Sequence, residues 1–162
     1  MNRVAAGLIT VSALAPLASS PTAQAQLRVA QWNVTNYSGG RLAEFRSAIY
    51  DTYQGRTMTP DVIIAQEISS ETGAIQFRNM LNTYPGGPTD WQYAPFVDFA
   101  GDSDNALFFR TSKLSVIDVV TISQNTGPGA GQAPRPNQRY RVRLSGYASA
   151  GAEMYLYAAH MK

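Results

Sequence analysis

The sequence predicts an α+β or layered α/β domain with a mixed sheet. The predicted elements run β-α-β-α and then continue as a series of strands, an order typical of such folds. The segment Asp61 to Ile68 (DVIIAQEI) is an almost unbroken apolar run, which indicates a strand buried on both faces. The 162 residues are 44% hydrophobic and 15% charged, which fits one globular domain and excludes a disordered chain.

Strands and helices alternate in the first half of the chain. Residues Leu27 to Val34 (LRVAQWNV) alternate and favour β-structure, so they predict the opening strand. Two helices are predicted, over Arg41 to Tyr53 and over Ser70 to Thr83, because apolar residues recur there at helical spacing. Those residues are Leu42, Phe45, Ile49 and Tyr53 in the first helix, and Ile75, Phe77, Met80 and Leu81 in the second.

The second half is predicted to consist of strands and loops. The predicted strands are Trp91 to Phe99, Asn105 to Phe109, Lys113 to Ile122, Arg139 to Leu144 and Glu153 to His160. A loop rich in glycine and proline is predicted over Asn125 to Asn137. In RYRVRL (139–144), charged and apolar residues alternate, so one face of that strand should be wet or bind a ligand.

The first 25 residues are typical of a secretory signal peptide. A short basic start at Arg3 is followed by an apolar run, and Ala23 to Ala25 forms a small-x-small cleavage site. We therefore expect a mature chain that starts near Gln26, outside the cytoplasm, without stable membrane insertion. The alternative is an uncleaved N-terminal anchor, although the run is short for a membrane span.

The composition limits which chemistry is available. The chain has no cysteine, so disulfides, thiolate zinc sites and cysteine nucleophiles are excluded. A metal would have to be held by carboxylate, amide, imidazole or water, a set that suits Mg²⁺, Ca²⁺ or Mn²⁺. The net charge of +2 is too small to indicate nucleic-acid binding by itself.

Three polar residues stand at the ends of predicted strands. Asn33 closes the first strand, Glu67 closes the buried strand, and His160, the only histidine in the chain, closes the last. Ligands of sheet proteins bind beyond strand ends, and a buried carboxylate needs a partner such as a divalent cation. A solvated strand end for Glu67 and a structural role for His160 are the alternatives.

Successive blocks of the sequence resemble the endonuclease/exonuclease/phosphatase superfamily, in particular its deoxyribonuclease I-like branch. The blocks are LRVAQWNV, PDVIIAQEI, DNALFFRTSKLSVID, RYRVRL and MYLYAAHMK, in that order. The resemblance implies a four-layer α/β sandwich and a secreted, metal-dependent phosphodiesterase. The resemblance favours an endonuclease that hydrolyses the phosphodiester bonds of nucleic acid.

The resemblance also implies roles for individual residues. Glu67 would bind the divalent cation, Mg²⁺ or else Ca²⁺ or Mn²⁺, and Asn33 would help to orient the metal and phosphate site. His160 would hydrogen-bond the scissile phosphate. Arg139 would lie near the substrate phosphate, unless it is an ordinary exposed residue of its strand. Asn105 stands where the family places a substrate-contacting tyrosine, and it could offer hydrogen bonds instead.

The resemblance implies that residues 26–162 are the N-terminal half of a longer domain. The family places its water-activating aspartate after the histidine strand, so this half alone should be inactive. It should supply about one sheet, and it should be poorly stable because that sheet lacks its facing layer. Two alternatives remain open: a phospholipid or sugar-phosphate phosphatase of the sphingomyelinase type on the same fold, and a non-catalytic binding protein. The oligomeric state is not predicted.

Overall fold

The computed structural model describes residues 26–99, 103–123 and 136–160. Its first sheet has four strands: β1 (Val29–Tyr37), β2 (Val62–Ile68), β3 (Trp91–Tyr93) and β4 (Asp104–Arg110). Their order across the sheet is β1-β2-β4-β3. The β1–β2 pair is parallel and the other two pairs are antiparallel, so the predicted mixed sheet is confirmed.

A second, antiparallel sheet contains β5 (Leu114–Ser123), β6 (Asn137–Leu144) and β7 (Glu153–Ala158), with β6 in the centre. The prediction of about one sheet was therefore wrong, since the described residues contribute strands to two. The physical reason lies in β4, which has β2 on one edge and β3 on the other. Although β5 follows β4 after a tight turn, it finds no free edge there and starts a separate sheet.

Two helices cover the outer face of the first sheet. They are α1 (Leu42–Tyr50) and α2 (Glu71–Asn82), and their buried faces include Phe45, Ile49 and Phe77. The α2 helix begins where predicted, because the Ser70 hydroxyl accepts a hydrogen bond from the Gly73 N–H at 3.2 Å. Gly73 also allows a close approach, since a Cβ there would lie 2.8 Å from the Tyr37 carbonyl oxygen.

The two sheets pack against each other through a second apolar core. Val62, Ile64 and Leu107 of the first sheet meet Tyr140 and Val142 of the second in that core. The layers are therefore helices, first sheet and second sheet, and β2 is buried on both faces as its sequence predicts.

Several predicted boundaries differ from those in the structure. Helix α1 ends at Tyr50, so Tyr53 is not part of its buried face and is 77% exposed. The strand predicted from Trp91 to Phe99 ends at Tyr93, two residues before Pro95, a residue that cannot donate to a ladder. The predicted loop over 125–137 lies outside the described residues except at its end, where Asn137 already belongs to β6.

Candidate active site at the strand ends

Three of the predicted site residues come together where the two sheets meet. Asn33 Nδ2 lies 3.0 Å from Glu67 Oε1 and 3.3 Å from His160 Nε2. His160 Nε2 lies 3.4 Å from Glu67 Oε1, and both side chains are only 14% exposed. We call these three residues, with the backbone N–H of Asn36, the strand-end site. They come from β1, β2 and the segment after β7, so both sheets contribute.

Asn33 does not close β1 as predicted, because the strand continues to Tyr37 after an irregularity. Asn33 pairs with Gln66 and Tyr37 pairs with Ile68, so three residues of β1 stand opposite one residue of β2. The Asn33 Oδ1 atom accepts a hydrogen bond from the Thr35 N–H at 2.9 Å, which closes a local turn. Thr35 and Asn36 then adopt left-handed φ angles of 52° and 46°. This turn directs the Asn36 N–H to Glu67 Oε2, 3.1 Å away.

Glu67 also has a left-handed backbone, with φ 66°. In a regular strand it would share the face of Ile63 and Ala65, which pack in the core under the helices. The register between β2 and β4 shifts at this point, between Ala65 and Ile68. The irregular backbone turns the carboxylate out of that core to the edge where Asn33 and His160 lie. Strained backbone of this kind clusters at functional sites.

Arg41 supports the irregular part of β1. Its Nη2 donates to the carbonyl oxygens of Val34 at 2.8 Å and of Thr35 at 3.1 Å. Its guanidinium also lies over the rings of Tyr37 and Phe45, 5.6 and 5.2 Å from their centroids. The guanidinium therefore pairs carbonyl groups that the irregular strand leaves outside its ladder.

The donors around Glu67 fit a carboxylate that shares a cation with a substrate. Each of its oxygens receives one N–H, Oε1 from Asn33 and Oε2 from Asn36. Within the described residues, no group of three or more His, Asp or Glu side chains forms a metal cage. Mg²⁺ is commonly held by one or two carboxylates, water and substrate phosphate, so Glu67 suits it. Asn33 Oδ1 accepts the Thr35 N–H while its Nδ2 lies beside Glu67 Oε1, and its predicted role at the metal stays a prediction.

His160 lies two residues beyond the end of β7, and not within the strand as predicted. The tautomer of the imidazole decides whether Nε2 accepts from Asn33 Nδ2 or donates to Glu67 Oε1. Protonation would make the same nitrogen a donor toward Glu67 or toward a phosphate oxygen.

Asn105 is buried near this edge, in the second position of β4. Its Nδ2 donates to the Pro136 carbonyl oxygen at 3.0 Å, while its Oδ1 has no hydrogen-bond partner among the described residues. The side chain is thus tied to the start of β6. These contacts do not test its predicted role toward substrate, which stays a prediction. Close by, burial and then the Asp104 carboxylate raise the pKa of Tyr140, so that phenol stays neutral.

Arg139 lies in a different polar cluster, on the outer face of the second sheet. We call this cluster the outer ladder, and its members are Arg139, Arg141, Arg143, Asp118 and Glu153. Arg139 Nη2 lies 3.5 Å from Asp118 Oδ1, and its guanidinium lies 5.1 Å from the Tyr155 ring centroid. Arg139 as a substrate contact stays a prediction, because these contacts neither include nor exclude a phosphate.

Three contributions to the site were not predicted. The Asn36 backbone and Arg41 depend on the irregular part of β1, whose only sequence signal is the turn-forming segment TNYSGG (35–40). Gln66 donates from Nε2 to the Ala159 carbonyl oxygen, at 2.5 Å. Its sequence signal is a polar residue directly after a buried apolar run, next to the predicted site residue Glu67.

Comparison with known proteins gives matches in structure alone. A scan of protein-family models and a search of curated protein sequences give no match. Among solved structures, a humanized D. rerio TDP2 with 14 mutations is similar, with a TM-score of 0.52 at 18% identity. The human Nocturnin catalytic domain with bound sulfate has a TM-score of 0.51 at 14% identity. ANGEL2, described as a 2',3'-cyclic phosphatase, has a TM-score of 0.52 at 14% identity.

These matches cover 85%, 85% and 83% of this chain, but 48%, 51% and 41% of the respective structures. The chain thus spans about half of the length of the solved structures it matches. At such low identity the likeness concerns the fold. All three proteins are members of one superfamily. Over the part that matches, this chain has the deoxyribonuclease I-like fold of the endonuclease/exonuclease/phosphatase superfamily.

Proposed function

We propose that this chain forms half of the catalytic domain of a metal-dependent phosphoester hydrolase, and that the bond it cleaves is a phosphodiester. The observation that carries the proposal is the strand-end site, where an amide, a carboxylate and an imidazole lie within 3.0–3.4 Å of one another. Such a set can hold a cation, orient a phosphate and move a proton. Because the chain spans about half of the matched structures, the activity is proposed for the complete domain.

Each residue of the site has a proposed part in hydrolysis. Glu67 would hold Mg²⁺, or Ca²⁺ or Mn²⁺, which when bound would stabilise negative charge on the phosphate. Asn33 and the Asn36 N–H keep the carboxylate in one orientation. His160, protonated at Nε2, donates to a non-bridging phosphate oxygen as charge develops there.

Nucleic acid is the proposed substrate class. A D. rerio TDP2 structure in the same fold contains a single-stranded DNA product, and the ANGEL2 structure contains an adenosine vanadate. Those ligands belong to those proteins, and for this chain they make nucleotide phosphodiesters the first substrates to test. The phospholipid and sugar-phosphate alternatives are separated by the same assay.

The test is hydrolysis by the complete protein that contains this chain. Plasmid DNA, single-stranded DNA, RNA and sphingomyelin are each assayed with Mg²⁺ and with a chelator, beside Glu67→Ala and His160→Ala. Glu44→Gln, on the exposed first turn of α1, is the matched control. We expect cleavage of nucleic acid that needs the cation, is lost in both site variants and is kept in the control. Cleavage of sphingomyelin alone would show that the substrate is a phospholipid and not nucleic acid. Activity in both site variants equal to that of the unaltered protein would show that Glu67 and His160 take no part in hydrolysis.

We also propose that the protein is secreted with cleavage after Ala25. The proposal rests on the sequence of residues 1–25, which lie outside the described residues. No helix in the described ranges is long and apolar enough to cross a membrane. N-terminal sequencing of the protein from the culture medium or periplasm should give Gln26. A cell-associated protein that keeps Met1 would instead support the N-terminal anchor.

A further inference from the structure

We propose that Gln66 is a positioning residue that holds His160 beside Glu67. Its side-chain amide donates to the carbonyl oxygen of Ala159, at 2.5 Å. Two consecutive residues of the first sheet, Gln66 and Glu67, therefore contact two consecutive residues after β7, Ala159 and His160. The catalytic meaning of this arrangement rests on the proposed function, whereas the geometry does not.

The backbone explains why both neighbours can reach the same segment. In a regular strand, adjacent side chains point to opposite faces. Gln66 continues the face of Val62 and Ile64, which packs toward the second sheet. Glu67 would point the other way, but its left-handed backbone turns it to the edge. Because of the irregular backbone at Glu67, the side chains of Gln66 and Glu67 both contact the segment after β7.

The segment that carries His160 needs such a contact. The strand β7 pairs with β6, in the second sheet, and ends at Ala158. No strand ladder within the described residues therefore fixes His160 relative to Glu67. The imidazole itself contacts Asn33 and Glu67 of the first sheet. The Gln66 bond is made to the Ala159 backbone, so it does not depend on the imidazole.

An amide suits this position for two reasons. It donates to a carbonyl, which a glutamate at neutral pH or a methionine of similar length cannot do. It is also neutral, so it does not add a second carboxylate that would compete with Glu67 for a cation. A charged donor such as lysine would place a positive group next to the proposed cation site.

The geometry can be measured by NMR without any substrate. His160 is the only histidine in the 162-residue protein, so its ring signals are unambiguous. At one fixed pH, Glu67→Gln should displace those signals in the parent protein. The same Glu67→Gln change is then made in proteins that already carry Gln66→Met or Gln66→Glu. There it should displace the His160 signals much less, because the ring is no longer held beside residue 67. Gln92→Met is the matched control, since Gln92 lies on the exposed side of β3 and bonds Arg78. It should keep the full displacement.

The outcomes separate this proposal from the proposed function. Loss in both Gln66 variants with retention in the control supports the positioning role, even if the protein hydrolyses nothing. Full displacement in a folded Gln66 variant overturns it. If both variants unfold while the control folds, Gln66 is a structural residue and the proposal is wrong. Where the complete protein is active, we expect kcat in Gln66→Met to fall on the order of 10²-fold at unchanged KM, as displaced groups commonly cause.

Discussion

The strand-end site and the outer ladder are both polar clusters of ionisable side chains, but they are built differently. The strand-end site collects one side chain from each of three segments in two sheets, and strained backbone directs them to one point. The outer ladder collects side chains of three neighbouring strands of one sheet in regular alternation. Arg141, for example, lies 2.8 Å from Asp118 and 3.5 Å from Glu153.

The two clusters differ in the described partners of their carboxylates. In the outer ladder each carboxylate meets two guanidinium groups, so its charge is already matched. Partly exposed pairs of this kind contribute little to stability. In the strand-end site, Glu67 meets a neutral amide, a backbone N–H and an imidazole. The contacts with Asn33 and Asn36 orient the Glu67 carboxylate toward the edge where His160 lies.

The largest expected effect contrasts one carboxylate from each cluster. In the complete protein, Glu67→Gln should lower phosphodiester hydrolysis on the order of 10³-fold, because the cation loses its carboxylate. Glu153→Gln makes the same chemical change in the outer ladder and should leave the rate within about threefold. The measurement is kcat/KM at saturating Mg²⁺. Similar losses in both variants would show that the two clusters do not differ in function.

A second prediction concerns the support of the strand-end site. Arg41→Lys keeps the charge but loses the planar group that pairs two carbonyl oxygens, so unfolding should require about 1–2 kcal/mol less. Arg46→Lys, within α1 (Leu42–Tyr50), which Arg41 immediately precedes, is the matched control, since one Arg46 guanidinium nitrogen bonds the Thr83 hydroxyl at 2.6 Å. It should change stability by less than about 0.5 kcal/mol. Urea denaturation of the 162-residue protein gives both values, and equal losses would contradict a special role for Arg41.

These two regions also show how far the sequence could predict the structure. The buried run of β2 and the helical spacing of Phe77, Met80 and Leu81 depend on local periodicity, and the structure confirms them. Glu67 and His160 are predicted as site residues because each stands at or near a strand end, and the structure places them 3.4 Å apart. The left-handed backbone at Glu67 was not predicted, because it depends on the registers with β1 and β4, which are distant in sequence. The Gln66 bond spans 93 positions and is invisible to local patterns.

The division into two sheets could not be predicted for a related reason. The short turn between Arg110 and Leu114 is typical of a hairpin, in which β4 and β5 would pair. Pairing is decided by which edges are free, and β3, although only three residues long, occupies that edge of β4. Similarly, RYRVRL (139–144) predicts a face that is wet or binds a ligand, but the sequence does not show what lies beside it. The pairing of β6 with β5 and β7 brings Asp118 and Tyr155 next to Arg139.

A third prediction tests the position of Arg139 in the outer ladder. Its contacts with Asp118 and Tyr155 lead us to expect that Arg139→Gln changes KM by less than about threefold and stability by about 1 kcal/mol or less. Arg143→Gln, in the same strand and on the same face, is the control and should behave alike. Steady-state kinetics on a nucleic-acid substrate measures this. A rise in KM of about tenfold or more in Arg139→Gln alone would instead confirm the sequence-based prediction that Arg139 contacts the substrate phosphate.

The smallest expected effect belongs to an ion pair of the first sheet outside both clusters. Burial disfavours the charged form of Asp90, but hydrogen bonds from Ser112 and from Arg110, together with the Arg110 charge, outweigh it and lower the pKa of Asp90 below its usual value. A carboxyl with a lowered pKa in the folded state stabilises the protein above its unfolded pKa of about 4. That contribution is lost as the pH falls through the folded pKa.

Asp90→Asn should therefore reduce the free energy of unfolding more at pH 7 than at pH 3, as measured by urea denaturation at both values. The difference should be small, because both partners are partly solvated, with side-chain exposures of 21% for Arg110 and 26% for Asp90. The pair joins Arg110, the last residue of β4, to Asp90, the residue before β3. Its loss should therefore loosen the sheet at the end of β4, at the other end of that strand from Asp104 and Asn105. Hydrolysis at pH 7 should then be unchanged in a folded Asp90→Asn protein. A loss of activity would show that the strand-end site depends on the whole length of β4. The prediction that a polar pair outside the strand-end site does not affect hydrolysis would then be wrong.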